Sequence, residues 1–152
     1  ELGRTISADY AGLPLTMIAI SNGATIFSAD LLRAIPLPLQ FDTLMVGSYS
    51  GTNSIGPVIT RSEFKLDVVG RHVLIVDEIL DTGRTLSKVK EMLAGRRPAS
   101  VRCCVLLDKP SRRQVTLNAD YIGFEIPDAF VVGYGLDYNE YYRNLPYIGI
   151  LS

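Results

Sequence analysis

The sequence predicts an α/β fold, a central, mostly parallel twisted sheet flanked by helices. Short apolar runs recur along the chain, among them "LTMIAIS" (15–21), "HVLIV" (72–76) and "SVRCCVLL" (100–107). Continuous apolar strands are those covered on both faces, as parallel strands are. Segments with helical spacing alternate with these runs. The 152 residues, 47% hydrophobic and 20% charged, suffice for one domain with its own core over 1–152. That composition is unlike a disordered or fibrous chain.

The elements follow in order. "ELGRTISADYAG" reads as a short amphipathic helix ending at Gly12. "LTMIAIS" is a buried strand that "NGA" breaks. "TIFSADLLRAI" (25–35) has helical spacing and stops at Pro36-Leu37-Pro38. "FDTLMVGSY" (41–49) is a second strand, followed by "SGTNSIGP" (50–57), a loop of Ser, Gly, Thr and Asn. "VITRSEF" (58–64) fits an exposed edge strand, and "HVLIV" a central one. A helix is expected from Gly83 to Leu93, with Leu86, Val89 and Leu93 on one face. "SVRCCVLL", "YIGFEI" (121–126) and "FVVGYG" (130–135) are the later strands. The tail is rich in tyrosine, and Tyr138, Tyr141, Tyr142 and Tyr147 read as its packing residues.

The net charge of −1 points to neither nucleic acid nor an anionic membrane as partner. No apolar run approaches the ~18–20 residues of a membrane span, and no stretch reads as a secretory signal. The sequence opens on Glu1 rather than methionine, and a natural N-terminal segment is expected to precede it. Cys103 and Cys104 are adjacent, so a strand sends them to opposite faces as separate buried thiols. Reduced thiols fit a cytoplasmic setting.

The chemistry gathers in "VLIVDEILDTGRTL" (73–86). In an open α/β sheet, ligands bind beyond the carboxyl ends of the strands, where residues 77–85 are expected. A helix starting near Thr82 or Gly83 leaves its first N–H groups free for an anion. Thr82 and Thr85 add hydroxyl donors, Gly83 lets backbone approach a phosphate, and Asp81 is a candidate N-cap. Asp77 and Glu78 would repel a bare phosphate, but suit hydroxyls or a hard cation such as Mg²⁺. A phosphate beside hydroxyls with Mg²⁺ nearby describes a ribose phosphate. Neither G-x-x-x-x-G-K-[ST] nor G-x-G-x-x-G is present.

This stretch closely resembles the phosphoribosyl-diphosphate signature of the type I phosphoribosyltransferases. "SYSG" (48–51), "LLDKPSRR" (106–113) and "FVVGYGLDYNEYYRNLPYIGIL" (130–151) resemble the hypoxanthine-guanine phosphoribosyltransferase family in its bacterial form. The likeness runs from about Leu2 to Leu151 with the motifs in the family's order. It implies the type I phosphoribosyltransferase fold with a small C-terminal hood, and a purine-salvage enzyme that requires Mg²⁺. The reaction would move a 5-phosphoribosyl group from phosphoribosyl diphosphate to hypoxanthine or guanine, giving IMP or GMP and diphosphate. By the resemblance, Asp77 and Glu78 hold the ribose hydroxyls and, with Asp137, the metal. Asp81, Thr82, Gly83, Arg84 and Thr85 cradle the 5-phosphate. Asp81 is also the catalytic candidate, exchanging a proton with purine N7. Lys109 meets the 6-oxo group, Phe130 stacks on the base, and Val131 reads its edge through the backbone. Asp137 borders the purine as well as the metal. Asn22, Gly23 and Arg143 take the diphosphate, and Ser48 and Tyr49 open a lid loop. The partners implied are small molecules and other copies of the chain, as a dimer or tetramer.

Two departures carry expectations. Asn22 stands where the family often has a basic residue, which should weaken diphosphate binding without abolishing it. The acidic pair is Asp-Glu where many relatives have Glu-Asp. A receiver-domain reading fails because over seventy residues precede the acids. An RNA-binding reading would need a basic face, and Arg96, Arg97, Arg112 and Arg113 form only small clusters.

Overall fold

The computed structural model describes residues 1–48, 58–60 and 65–152. Its centre is a six-stranded sheet. In chain order the elements that build it are α1 (Leu2–Asp9), β1 (Leu15–Ser21), α2 (Thr25–Arg33), β2 (Leu39–Ser48), β3 (Val58–Thr60), β4 (His72–Leu80), α3 (Arg84–Ala94), β5 (Ser100–Asp108) and β6 (Tyr121–Glu125). The strand order is β3-β2-β1-β4-β5-β6. β2, β1, β4, β5 and β6 run parallel, and β3 pairs antiparallel to β2 at the edge. A small separate sheet joins β7 (Val131–Val132) to β8 (Gly149–Ile150).

Alternation along the central strands divides the core into two layers. Leu74 and Val76 of β4 face one side, with Ile6 of α1, Tyr10 just after it, and Phe27 and Leu31 from α2. Val73 and Ile75 face the other, against Leu86, Val89 and Leu93 of α3. Cys104 packs in the first layer and Cys103 in the second, both as free, buried thiols. The two cysteines therefore sit on opposite faces, as expected. Among the described residues, no helix is long and apolar enough to cross a membrane.

Three expectations need correction. β4 does not end at Val76 but continues through Leu80, held by the register Ile79↔Leu107 and Leu80↔Asp108 with β5. Asp77 and Glu78 therefore lie within the strand. The "FVVGYG" strand shrinks to Val131–Val132, because Gly133 (φ 98°), Tyr134 (φ 53°) and Gly135 (φ 104°) turn the chain out of extended geometry. The tail tyrosines are not buried packing residues: Tyr138, Tyr141, Tyr142 and Tyr147 are all exposed.

Candidate active site

The carboxyl ends of β1 and β4 open onto a cleft of about 400 Å³. β4 positions the acids by its pleat. Asp77 points inward and is only 6% exposed, and its Oδ1 accepts the N–H of Glu78 at 3.0 Å. Burial, and then the charge of Glu78, push the Asp77 carboxyl well above the usual carboxylate range. Glu78 turns toward the loop after β1. A Cβ on Gly23 would lie 2.0 Å from Glu78 Oε1, so only glycine lets that carboxylate in. Gly135 packs against the same glycine, where a Cβ would run into Gly23 O. The peptide bond between Ser21 and Asn22 is cis.

Beyond Leu80 the chain makes a tight loop into α3. Gly83 takes the left-handed conformation, φ 83°, and occupies the N-cap position. Asp81 does not cap the helix, contrary to expectation: no side chain caps α3. The Arg84 N–H instead lies 3.4 Å from Thr82 Oγ1. Asp81 Oδ1 is buried without a hydrogen-bond partner, 3.5 Å from Arg112 Nε. Among the described residues, no backbone–backbone bond takes the N–H of Thr82, Gly83 or Thr85, and all three residues line the cleft. Free N–H groups at a helix N-terminus form an anion site.

The far wall comes from the tail. Asp137 Oδ2 accepts the N–H of Glu140 at 2.8 Å, and Asp137 Oδ1 pairs with Arg143 Nη2 at 3.1 Å. Arg143 also donates to Gly135 O at 2.7 Å and to Glu140 at 3.0 Å. The guanidinium is thus tied down at the rim rather than loose on the surface.

The cleft lining unites Asn22, Gly23, Asp77, Glu78, Asp81, Thr82, Gly83, Thr85, Asp137 and Arg143. Arg84 begins α3 just outside that lining. Lys109, Phe130 and Val131 stand outside that lining. Lys109 follows β5, and its N–H donates to Leu80 O at 2.9 Å, so it sits beside the end of β4. It is no solvated loop residue: the side chain is buried, with Nζ 3.8 Å from Asp128 Oδ1. Phe130 is 54% exposed, its ring edge-on to Tyr138 at 5.9 Å. A ring this open is not part of the core. Val131 is fixed through the β7–β8 pair opposite Ile150. Ser48 closes β2, while Tyr49 and the lid-loop positions 50–57 lie outside the described residues.

The family model of the phosphoribosyl transferase domain matches residues 1–139. The chain belongs to that family. It is 47% identical, over its whole length, to a hypoxanthine-guanine phosphoribosyltransferase of Streptococcus pneumoniae, 85% of which it covers. It is 49% identical to part of a bifunctional protein TilS/HprT of Listeria innocua, spanning 24% of that protein's length. The crystal structure of a hypoxanthine phosphoribosyltransferase from Staphylococcus aureus superposes with a TM-score of 0.94 at 45% identity, covering 99% of this chain and 83% of that one. The chain is thus a phosphoribosyltransferase with its family's fold.

Several residues of the phosphoribosyltransferase site escape sequence reasoning. Asp128 braces both Lys109 and Arg112, the latter at 3.8 Å. Gly135 backs Gly23 across more than a hundred residues of chain. Arg113 reads as half of a small basic cluster, yet its side chain is largely buried between Asp108 and the loop after β4. Nothing local marks such long-range partners. The one available signal was position, since each lies within a motif that carries a candidate ligand.

Proposed function

We propose that this chain transfers the 5-phosphoribosyl group of phosphoribosyl diphosphate to hypoxanthine or guanine, releasing diphosphate. The observation that carries the reading is the one cleft in which the buried Asp77, three partly exposed acids, free helix N–H groups and a fixed arginine converge. The 5-phosphate takes the N–H groups and hydroxyls of the Thr82–Thr85 turn. The ribose hydroxyls take Asp77 and Glu78. Diphosphate lies toward Asn22, Gly23 and Arg143, with Arg143 exchanging part of its bond to Glu140 for the ligand.

The acids also bear on the metal. Four carboxylates line a cleft meant for a polyanion, so an anionic sugar enters favourably only with a divalent cation. Asp77, Glu78 and Asp137 are hard oxygen donors, which suits Mg²⁺. Among the described residues no group of three such side chains converges on one point. That fits an ion held chiefly by the ligand's own oxygens with one or two carboxylates added. Bound there, Mg²⁺ would offset charge on departing diphosphate.

As the bond to diphosphate breaks, positive charge develops at the anomeric carbon. The protein contributes position: the phosphate turn and the acids fix the ribose, and the Phe130 face fixes the purine. Asp81 exchanges a proton with purine N7, a step of a kind worth ~10²–10⁴-fold. Lys109 donates to the 6-oxo group. An exocyclic amine at that position offers no acceptor to an ammonium, so oxopurines are selected.

The test supplies phosphoribosyl diphosphate and Mg²⁺ with hypoxanthine, guanine, xanthine or adenine separately, and measures nucleotide formed. The expected products are IMP and GMP. Nucleotide from adenine alone would overturn the Lys109 argument, and none from any base would overturn the proposed reaction.

A further inference from the structure

Three successive carbonyls of the phosphate turn are held from behind. Leu80 O accepts the Lys109 N–H at 2.9 Å and lies 3.4 Å from Arg113 Nη2. Asp81 O accepts Arg113 Nε at 3.1 Å. Thr82 O accepts the Gln114 N–H at 2.9 Å. Arg113 further donates to Leu117 O and pairs with the carboxylate of Asp108. Its side chain is only 14% exposed, and all three guanidinium nitrogens are engaged. Its stem also backs Gly83, where a Cβ would approach Arg113 Cδ to 3.0 Å.

In a planar trans peptide, C=O and N–H point in opposite directions. Fixing the carbonyls of Leu80, Asp81 and Thr82 outward therefore aims the N–H groups of Asp81, Thr82 and Gly83 the other way, toward the cleft. The same carbonyl clasp sets where the Asp81 side chain starts. From this geometry we propose that Arg113 is a positioning residue of the reaction. Its guanidinium fork sets the anion-binding turn and the Asp81 carboxyl in register without touching substrate. The role rests on reading that turn as the phosphate and proton-transfer site.

The fork matters more than the charge. A lysine at 113 would keep a cation beside Asp108, but a single ammonium on a flexible stem cannot hold carbonyls on both sides. Removing the cation outright would leave Asp108 buried without its partner and endanger the fold. The variants are therefore Arg113→Lys and the double variant Arg113→Gln with Asp108→Asn, which keeps the pair neutral. Both are assayed as full chains with Mg²⁺ for kcat and for KM toward phosphoribosyl diphosphate and hypoxanthine. Ribose 5-phosphate binding is measured by calorimetry. The expected result is a rise in KM for phosphoribosyl diphosphate, and in ribose 5-phosphate Kd, of about tenfold to a hundredfold, with KM for hypoxanthine within about twofold. A residue serving only the fold would lower the active fraction, hence kcat, and leave both constants where they were. That pattern in either folded variant, beside an active wild type, overturns the proposal. A wild type that neither transfers phosphoribosyl nor binds ribose 5-phosphate would overturn the reading of the turn itself, and the positioning role with it.

Discussion

Burial sets Asp77 apart from the other acids of the cleft. It lies in the pleat of β4, almost without solvent and beside Glu78, and both conditions favour its protonated form. A carboxyl whose pKa is higher folded than unfolded binds its proton more tightly in the native state. Its contribution to stability is then full below the ordinary carboxylate pKa, ~4, and is lost as pH rises toward the folded value. At neutral pH the unliganded protein carries that cost. Asp77→Asn keeps an oxygen for the Glu78 N–H and removes the charge. The variant should melt a few degrees higher than the parent near pH 7.5. Its melting temperature should also fall less between pH 5 and 8, while transfer activity drops because the proposed ribose contact is lost. Parallel pH–melting curves for the two proteins would show that Asp77 carries no such burden. The sequence disclosed the identity of these acids but not this inequality. Adjacent residues on a strand face opposite ways, and only the packed layers decide which one is entombed.

At the scale of elements, the turn between β4 and α3 joins a strand buried on both faces to a helix with no side-chain cap. Gly83 makes the junction possible. It combines φ 83° with a position where a Cβ would come within 2.7 Å of Val115 Cγ2. Gly83→Ala therefore meets both the left-handed penalty of ~1–2 kcal/mol and a steric clash. We expect melting about 2–8 °C lower and KM for phosphoribosyl diphosphate at least tenfold higher, with hypoxanthine less affected. An alanine variant with unchanged melting temperature and KM would mean that the turn relaxes freely. Much of this element was legible beforehand, because "DTGRT" after a buried apolar strand names its own chemistry. The end of the strand was not. Residues 77–80 were expected beyond the end of the strand, and they belong to it because β5 supplies a ladder as far as Asp108. The capping role expected of Asp81 failed for a related reason. The clasp from residues 109–114 turns its backbone so that the carboxylate faces Arg112 rather than the helix.

At the scale of the molecule, the half of the site proposed for the sugar phosphate and the half proposed for the base differ in how much is already built. The first sits over the ends of β1 and β4, with Gly23 packed against both Glu78 and Gly135. The parallel sheet, its two core layers and the order of its motifs were readable from periodicity and resemblance. The meeting of Gly135 with Gly23 was not, since it depends on how the tail returns. The base half is a half-exposed Phe130 face and a Lys109 that is engaged with Asp128 in the unliganded state. A purine arriving alone would have to draw Lys109 partly from that ion pair and would cover one face of an open ring. Phosphoribosyl diphosphate with Mg²⁺ would instead fill free N–H groups and offset the repulsion among the cleft acids. Ligand present at 100 times its Kd adds about 2.7 kcal/mol to stability, which corresponds to a melting shift of about 5–10 °C for a chain of this size. Saturating phosphoribosyl diphosphate with Mg²⁺ should produce a shift of that order. Hypoxanthine alone at millimolar concentration should produce less than about 2 °C, and after the diphosphate sugar is bound it should add more than it does by itself. A larger shift from the base alone than from the sugar would show that the purine platform, not the β4–α3 turn, is the preorganised half of the site.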